Sequence, residues 1–298
     1  MVKTFSEVLE AVHGMPPKRV AVAAAQDEAV LEAVKGAKEQ GIADFILVGN
    51  TGKIKAMAEK LEISLTDIEI IHEIDEYQAA YQAVSMVSRG EADVVMKGFV
   101  NTADFLRAVL DKEVGLRTGR VLSHVAVFDI PSLNRLLMIT DGGMNIAPSL
   151  QQKADIIQNC VQLAHVLGID PAKVAVLAAV EVVNPDMPAT LEAAALAKMA
   201  DRGQIKGAIV DGPLAFDNAI SLTAAKHKGI KSPVAGCADI LVVPDIEAGN
   251  MLGKSLVYFA SGQVAGLILG AMKPVIVTSR ADTFEAKMMS IALGVLLG

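Results

Sequence analysis

The chain has 298 residues, 52% of them hydrophobic, and a formal net charge of −7. That length and hydrophobicity exclude disorder and allow one large core or two ordinary ones. The acidic balance excludes a general nucleic-acid binder, which needs a basic face, while leaving room for a local basic pocket around an anionic ligand. Aromatic residues make up only 4% and tryptophan is absent, so the core must be built from Ala, Val, Ile, Leu and Met. Cys160 and Cys237 are too few for a disulfide framework or a zinc cluster. They are expected to be buried thiols of a cytosolic protein. The opening M-V-K-T-F-S-E-V-L-E is charged and amphipathic, without the apolar run of a signal peptide. Residues 256–272 are uncharged, but they carry Ser261, Gln263 and several small residues. That run falls short of the roughly 20 apolar residues a membrane span needs. A buried helix under a parallel sheet, in a cytoplasmic protein without a membrane partner, is the expectation.

In chain order, strand-like apolar runs alternate with helical ones. Residues 19–25 read as a strand, 28–40 as a helix with Gly41 past its end, 44–48 as a strand, and 53–61 as a short helix. A strand at 68–72, a helix at 75–89 and a strand at 93–96 continue the rhythm. Such βαβα alternation predicts a parallel sheet with right-handed crossovers. A-A-A-Q-D after the first strand replaces the glycine-rich turn of a dinucleotide-binding fold. The fourth strand runs into M-K-G-F-V-N-T-A-D-F, where Asn101 or Thr102 can cap a helix carrying Phe105. Lys97 and Gly98 then sit in the turn before a helix N-terminus, which reads either as an anion site or as an ordinary loop with a solvated lysine.

Residues 123–129 and 136–140 form two strands with no helix between them, so an antiparallel pair is expected, with a domain junction near Asp141. His124 at the start of the first is readable as a structural histidine or as a ligand. A long helix from Pro148 to Leu167 opens a second alternation: strand 174–180, helix 190–202, strand 208–211, a helix capped by Asp217 or Asn218, strand 240–243, the long helix, strand 275–277, and a last helix from Asp282. Strands buried on both faces end in polar residues here, and in open α/β folds ligands bind at those carboxyl ends. Asp245, Glu247, Asn250, Lys254, Ser279 and Arg280 are therefore expected along the ligand rim. A-G-N-M-L-G-K-S falls one glycine short of a phosphate-binding loop, Ala248 standing in the first glycine's place, so Asn250 and Lys254 at a helix N-terminus are the better reading. No nucleophile elbow, H-E-x-x-H or C-x-x-C is present, so acyl-enzyme and zinc chemistry have no signature. The basic residues at strand ends, Lys97, Arg120, Lys254 and Arg280, suit an anionic substrate and transition state.

K-G at 97–98 with Thr102, S-H-V at 123–125, D-G-G-M-N-I-A-P at 141–148, D-G-P-L-A-F-D-N-A at 211–219, A-G-C-A-D-I-L-V-V-P-D-I-E-A-G-N-M-L-G-K at 235–254 and K-P-V-I-V-T-S-R at 273–280 occur in this order along nearly the whole chain. Together they resemble the phosphate acetyl/butyryltransferase family, and the T-S-R-A-D form of the last block is similar to its butyryl branch. The resemblance implies two α/β domains with mostly parallel sheets and an interdomain active-site cleft, isocitrate-dehydrogenase-like in shape. The domains would be 1–140 plus 281–298, and 141–280.

It also implies acyl-CoA + phosphate = acyl phosphate + CoA through a ternary complex, with butyryl as the leading acyl group and acetyl as the alternative. The protein would work as a homodimer or higher homo-oligomer, with coenzyme A as substrate, no tightly bound cofactor and no metal. By motif, Ser279 would hydrogen-bond the CoA sulfur or the oxyanion, and Arg280 the acyl-phosphate oxygens. The thiol proton would pass to Glu285, to Asp282, or to no side chain at all. Lys97, Gly98, Thr102, Arg120, Ser123, His124, Asn145, Asp211, Gly212, Pro213, Asn250 and Lys254 would bind substrate. More remote alternatives are a dehydrogenase of similar shape, for which neither a carboxylate cluster nor a nicotinamide motif is visible, and a non-catalytic binder of CoA or acyl phosphate.

Overall fold

The computed structural model describes residues 1–279 and 282–298. Helix α1 (Phe5–His13) precedes strand β1 (Arg19–Ala23). Then come α2 (Glu28–Glu39), β2 (Asp44–Gly49), α3 (Thr51–Lys60), β3 (Glu69–His72), α4 (Glu76–Ser88), β4 (Val94–Lys97) and α5 (Thr102–Val109). Strands β5 (Ser123–Asp129) and β6 (Leu137–Thr140) follow without a helix between them. Next are α6 (Leu150–Val166), β7 (Ala172–Leu177), α7 (Pro188–Asp201), β8 (Ala208–Leu214), α8 (Phe216–Ile220), α9 (Leu222–His227), β9 (Ile240–Val242) and α10 (Ile246–Ala260). The chain closes with β10 (Gln263–Leu269), β11 (Val275–Ile276) and α11 (Phe284–Leu297). Short polar side chains start most helices. Asp27, Asn50, Asp75, Asn101, Asp245 and Thr283 each accept a backbone N–H of the first turn, and Ser149 forms a reciprocal capping box with Gln152.

The chain divides into two compact units. The first is Phe5–Arg120 with Ala265–Gly298, and the second is Met1–Thr4 with Val121–Val264. Strands of the first are ordered β3-β2-β1-β4-β11-β10. All its neighbours are parallel except β10 and β11. Strands of the second are ordered β5-β6-β9-β7-β8, and only β5 and β6 run antiparallel. Both divisions of the chain fall earlier than the expected 140/141 and 280/281. Pairing is the reason: β6 hydrogen-bonds to β9, which keeps the antiparallel pair with the second sheet, and β11 hydrogen-bonds to β4, which draws the chain after 264 into the first.

Three local expectations need correction. Residues 256–272 are not one buried helix. Helix α10 ends at Ala260, Ser261 takes left-handed backbone, and β10 follows. One face of α10 packs Leu252, Leu256 and Val257 on the core of the second unit, while Met251, Tyr258 and Phe259 lie exposed. Neither Asp217 nor Asn218 caps a helix. Ser221 breaks that stretch into α8 and α9 and caps the second piece, while Asp217 pairs with Lys228. Finally, Cys160 is buried as expected, but Cys237 is half-exposed.

Candidate active site

In the first unit the parallel strands β1, β4 and β11 present their carboxyl ends together. Val275 opposes Val95 and Ile276 opposes Met96, so Lys97 and the residues after Ile276 leave the sheet side by side. Lys97 is only 8% exposed, and its ammonium donates to the carbonyls of Gly98 and Val100, 3.1 Å each. It is not a solvated lysine, because it organises its own turn. Gly98 is fixed by a backbone approach: a Cβ there would lie 2.4 Å from the Ala24 carbonyl oxygen. Asn101, not Thr102, caps α5 by accepting from Ala103 N at 2.8 Å, and Thr102 opens the helix at an exposed position.

The neighbouring strand end has the same construction. Lys287 in α11 is 2% exposed, and its ammonium donates to the carbonyls of Ser279 (3.1 Å) and Asp282 (2.6 Å). Asp282 accepts from Ser279 N at 2.6 Å and donates its own N–H to the Ser279 carbonyl at 3.2 Å. Thr283 then caps α11, and Glu285 stands exposed in the first turn. Helix α11 is seated by Phe284, whose ring lies where a Cβ on Gly36 of α2 would be, 2.4 Å away. Ser279, Asp282, Glu285, Lys97 and Gly98 thus belong to one rim, over two buried ammonium groups. Arg280 lies outside the described residues. Arg120, which ends the first of this unit's two segments, is exposed, and its N–H donates to Thr118 Oγ1 at 3.2 Å.

In the second unit one carboxylate gathers a loop. Asp141, 2% exposed, accepts from the backbone N–H groups of His124, Gly143, Met144 and Asn145 and from the Asn145 amide at 2.6 Å. The same amide donates to the Leu122 carbonyl, and the His124 ring packs on Gly143, where an added Cβ would lie 2.9 Å from Cγ. Ser123 is fully buried and accepts from the Asn159 amide, which makes it part of the core. Gly142 touches the start of α10 backbone to backbone, because a Cβ on it would lie 2.8 Å from the Gly249 carbonyl carbon. The Asp141 loop, with the His124 ring packed on it, therefore meets the start of α10.

The other substrate-site expectations in this unit scatter. Asp211, Gly212 and Pro213 lie in β8, where the pairing with β7 slips between Ala175 and Leu177. Three strand spacings separate β8 from β6, roughly 14 Å. Gly212 packs under Val176 and Ala193, and Asp211 accepts from the Gly212 N–H. Asn250 and Lys254 are exposed on α10 one turn apart, past its first turn. The helix N-terminus expected to hold an anion with them is occupied by the Asp245 carboxylate, which accepts from Ala248 N at 2.8 Å.

The chain matches the family model described as phosphate acetyl/butaryl transferase over residues 3–79 and 65–295. It is 54% identical over 297 residues to phosphate butyryltransferase of Clostridium acetobutylicum, covering 100% of this chain and 99% of that one. The chain belongs to this family. Phosphate acetyltransferase of Thermotoga maritima is 50% identical, over 93% of this chain and 94% of its own length. A branched-chain phosphotransacylase from Enterococcus faecalis V583 has a similar structure, with TM-score 0.84, 34% identity and 94% of this chain and 98% of that one covered. A 4-hydroxythreonine-4-phosphate dehydrogenase from Klebsiella pneumoniae has TM-score 0.57 at 13% identity over 95% of this chain and 99% of its own, which is a likeness of fold alone.

Reasoning from the sequence blocks of the family missed the two residues that shape its loops here. Asp141 lies inside one of the family blocks, where the sequence marks it only as a junction between domains. Lys287 stands directly before the apolar run M-M-S-I-A-L-G-V-L-L, and a lone cation there is a legible sign of a buried partner.

Proposed function

We propose that the protein transfers a short-chain acyl group, butyryl foremost, between coenzyme A and inorganic phosphate by direct attack in a ternary complex. The observation that carries this reading is the full-length 54% identity to a phosphate butyryltransferase, joined to a rim built over two buried ammonium groups. Each ammonium donates to two backbone carbonyls, so positive charge lies beneath the rim, with the Asp282 carboxylate beside it. Phosphate and acyl phosphate carry about two negative charges and are held by such a field together with an arginine fork. In this reading Arg280 supplies the fork, and Ser279 binds the CoA sulfur or the developing oxyanion. No nucleophile of the protein is acylated on the way, and CoA enters as a substrate with no resident cofactor.

Only a few per cent of a thiol with pKa about 8.5 is thiolate at neutral pH, so a base is worth about 10² to 10⁴ in rate. Glu285 is assigned that role because it is exposed on the rim, whereas Asp282 holds the Ser279 N–H. A second reading, acetyl transfer, is favoured by the 50% identity to a phosphate acetyltransferase. Butyryl exceeds acetyl by two methylenes, about 1.6 kcal/mol or roughly 15-fold, which one pocket side chain can reverse.

A homo-oligomer and a cytoplasmic location complete the reading. Met251, Tyr258 and Phe259 form an exposed stripe on α10 suited to a second copy, and among the described residues no helix is long and apolar enough to cross a membrane. The test is thiol release from butyryl-CoA, acetyl-CoA and isobutyryl-CoA with and without phosphate. Phosphate-dependent release fastest with four-carbon chains is the expected result. Fastest release with acetyl-CoA transfers the assignment to the second reading, and no phosphate-dependent release with any donor overturns both.

A further inference from the structure

The amino edge of the second unit's sheet holds a cluster that the transfer reaction does not use. Strands β6, β9 and β7 are parallel neighbours, so Arg135 before β6, Cys237 and Asp239 before β9, and Lys173 at the start of β7 share one edge. The Asp141 loop leaves the other end of β6, roughly 13 Å away along a four-residue strand. Backbone pairing fixes the arrangement. Asp239 N donates to the Lys173 carbonyl at 2.8 Å, Lys173 N donates to Asp239 Oδ2 at 2.9 Å, and Arg135 Nε donates to the Ala238 carbonyl at 3.0 Å. On this frame the Lys173 ammonium donates to Cys237 Sγ at 3.3 Å. The sulfur also lies 3.4 Å from the Pro233 carbonyl, and both Cys237 and Lys173 are half-exposed. Gly236, in left-handed backbone against Leu222, sets the turn that presents the thiol. Cys160 offers the contrast: it is fully buried, and burial pushes its thiol far above the usual range.

We propose that Cys237 and Lys173 form an acyl-relay modification site, at which activated short-chain acyl groups pass from a CoA thioester or acyl phosphate to Cys237 and then to Lys173. Two steps balance. The Cys237 thiolate attacks the donor carbonyl, an S–C bond forms, and CoA thiolate or phosphate leaves and takes up a proton from water. The Lys173 ammonium gives a proton to solvent, and its neutral amine attacks the new thioester. An N–C bond then forms, the S–C bond breaks, and the departing thiolate takes the amine's second proton. The product is an acyl-lysine beside a restored thiol. Proximity is the whole driving device, since an oriented neighbour raises an acyl transfer far above the bimolecular rate at an isolated surface lysine.

The test treats the full-length protein with butyryl-CoA alone and, separately, with butyryl phosphate alone, and maps acyl groups by peptide mass spectrometry. Lys173 is expected to acylate at least about tenfold faster than exposed lysines such as Lys55 and Lys206, and Cys237→Ser is expected to remove that advantage. Lys173→Arg keeps the charge and is expected to trap a hydroxylamine-labile thioester on Cys237. Thermal melts confirm that both variants fold, and the trapped thioester keeps the relay falsifiable through a second variant. Equal Lys173 acylation in wild type and Cys237→Ser overturns the relay, as does a Lys173 rate no higher than its exposed neighbours or the absence of thioester in Lys173→Arg. Because the donor is added directly and phosphate is omitted, this outcome is independent of whether phosphate-dependent thiol release is found.

Discussion

Two loops of this protein are each held by one buried charge, and the charges are opposite. Asp141 in the second unit gathers four backbone N–H groups and an amide, and Lys287 in the first gathers two carbonyls. Backbone dipoles satisfy hydrogen bonds without cancelling a formal charge. The Asp141 loop therefore keeps a formal negative charge at its centre, and the Lys287 loop a formal positive one. The same architectural problem, fixing a strand-end loop, was solved with opposite signs. A cation beneath the backbone favours an anion above it, so the function proposed here places the chemistry at the rim of the first unit and takes the Asp141 loop as the scaffold.

That contrast can be broken by substitution. If the positive rim carries the reaction, Glu285→Gln lowers kcat by about 10² to 10⁴ with little change in KM. Steady-state kinetics with the preferred acyl-CoA decide it. A loss that appears in Asp282→Asn and not in Glu285→Gln moves the base to the residue that holds Ser279. The loops themselves should differ in how much stability their central charge supplies. Asp141→Ala leaves four backbone N–H groups without their acceptor and is expected to destabilise by about 3–5 kcal/mol in urea melts. Lys287→Met leaves two carbonyls, which tolerate the loss better, and relieves a buried ammonium, so about 1–3 kcal/mol is expected, together with a fall in kcat. Equal destabilisation by the two substitutions would remove the distinction between scaffold and working rim.

The smallest effect is a pH dependence at the amino edge. Burial pushes the Asp239 carboxyl above its ordinary value, although the Lys173 N–H, Arg135 and Lys173 oppose the rise. A folded value above the unfolded one makes the protonated form the stabler partner of the fold. Its contribution is complete below about pH 3.9 and is lost as pH rises through the folded value. Asp239→Asn should therefore gain slightly on wild type at neutral pH, and the gain should vanish in acid. Thermal melts across pH 3 to 7 measure it, and a gain that grows toward acid contradicts the sign.

Much of the fold was legible in the sequence because it rests on local rules. Strands buried on both faces are continuous apolar runs, so β1, β2, β4 and β9 were found within a residue or two, and short polar residues marked Asn101 and the start of α11. The lack of a helix between 129 and 137 predicted the antiparallel pair of β5 and β6. The family blocks named the loops that carry Lys97, Asn145 and Ser279. What the sequence could not decide were partnerships across distance. Uncharged residues 256–272 gave no sign that a left-handed Ser261 would end a helix and start a strand. Which sheet β6 and β11 would join was fixed by pairing with β9 and β4. The partners of the lysines at 97 and 287 are not written in the sequence. Only packing showed that both turn inward onto carbonyls, because a long flexible chain takes its partner from whatever backbone the fold brings within reach.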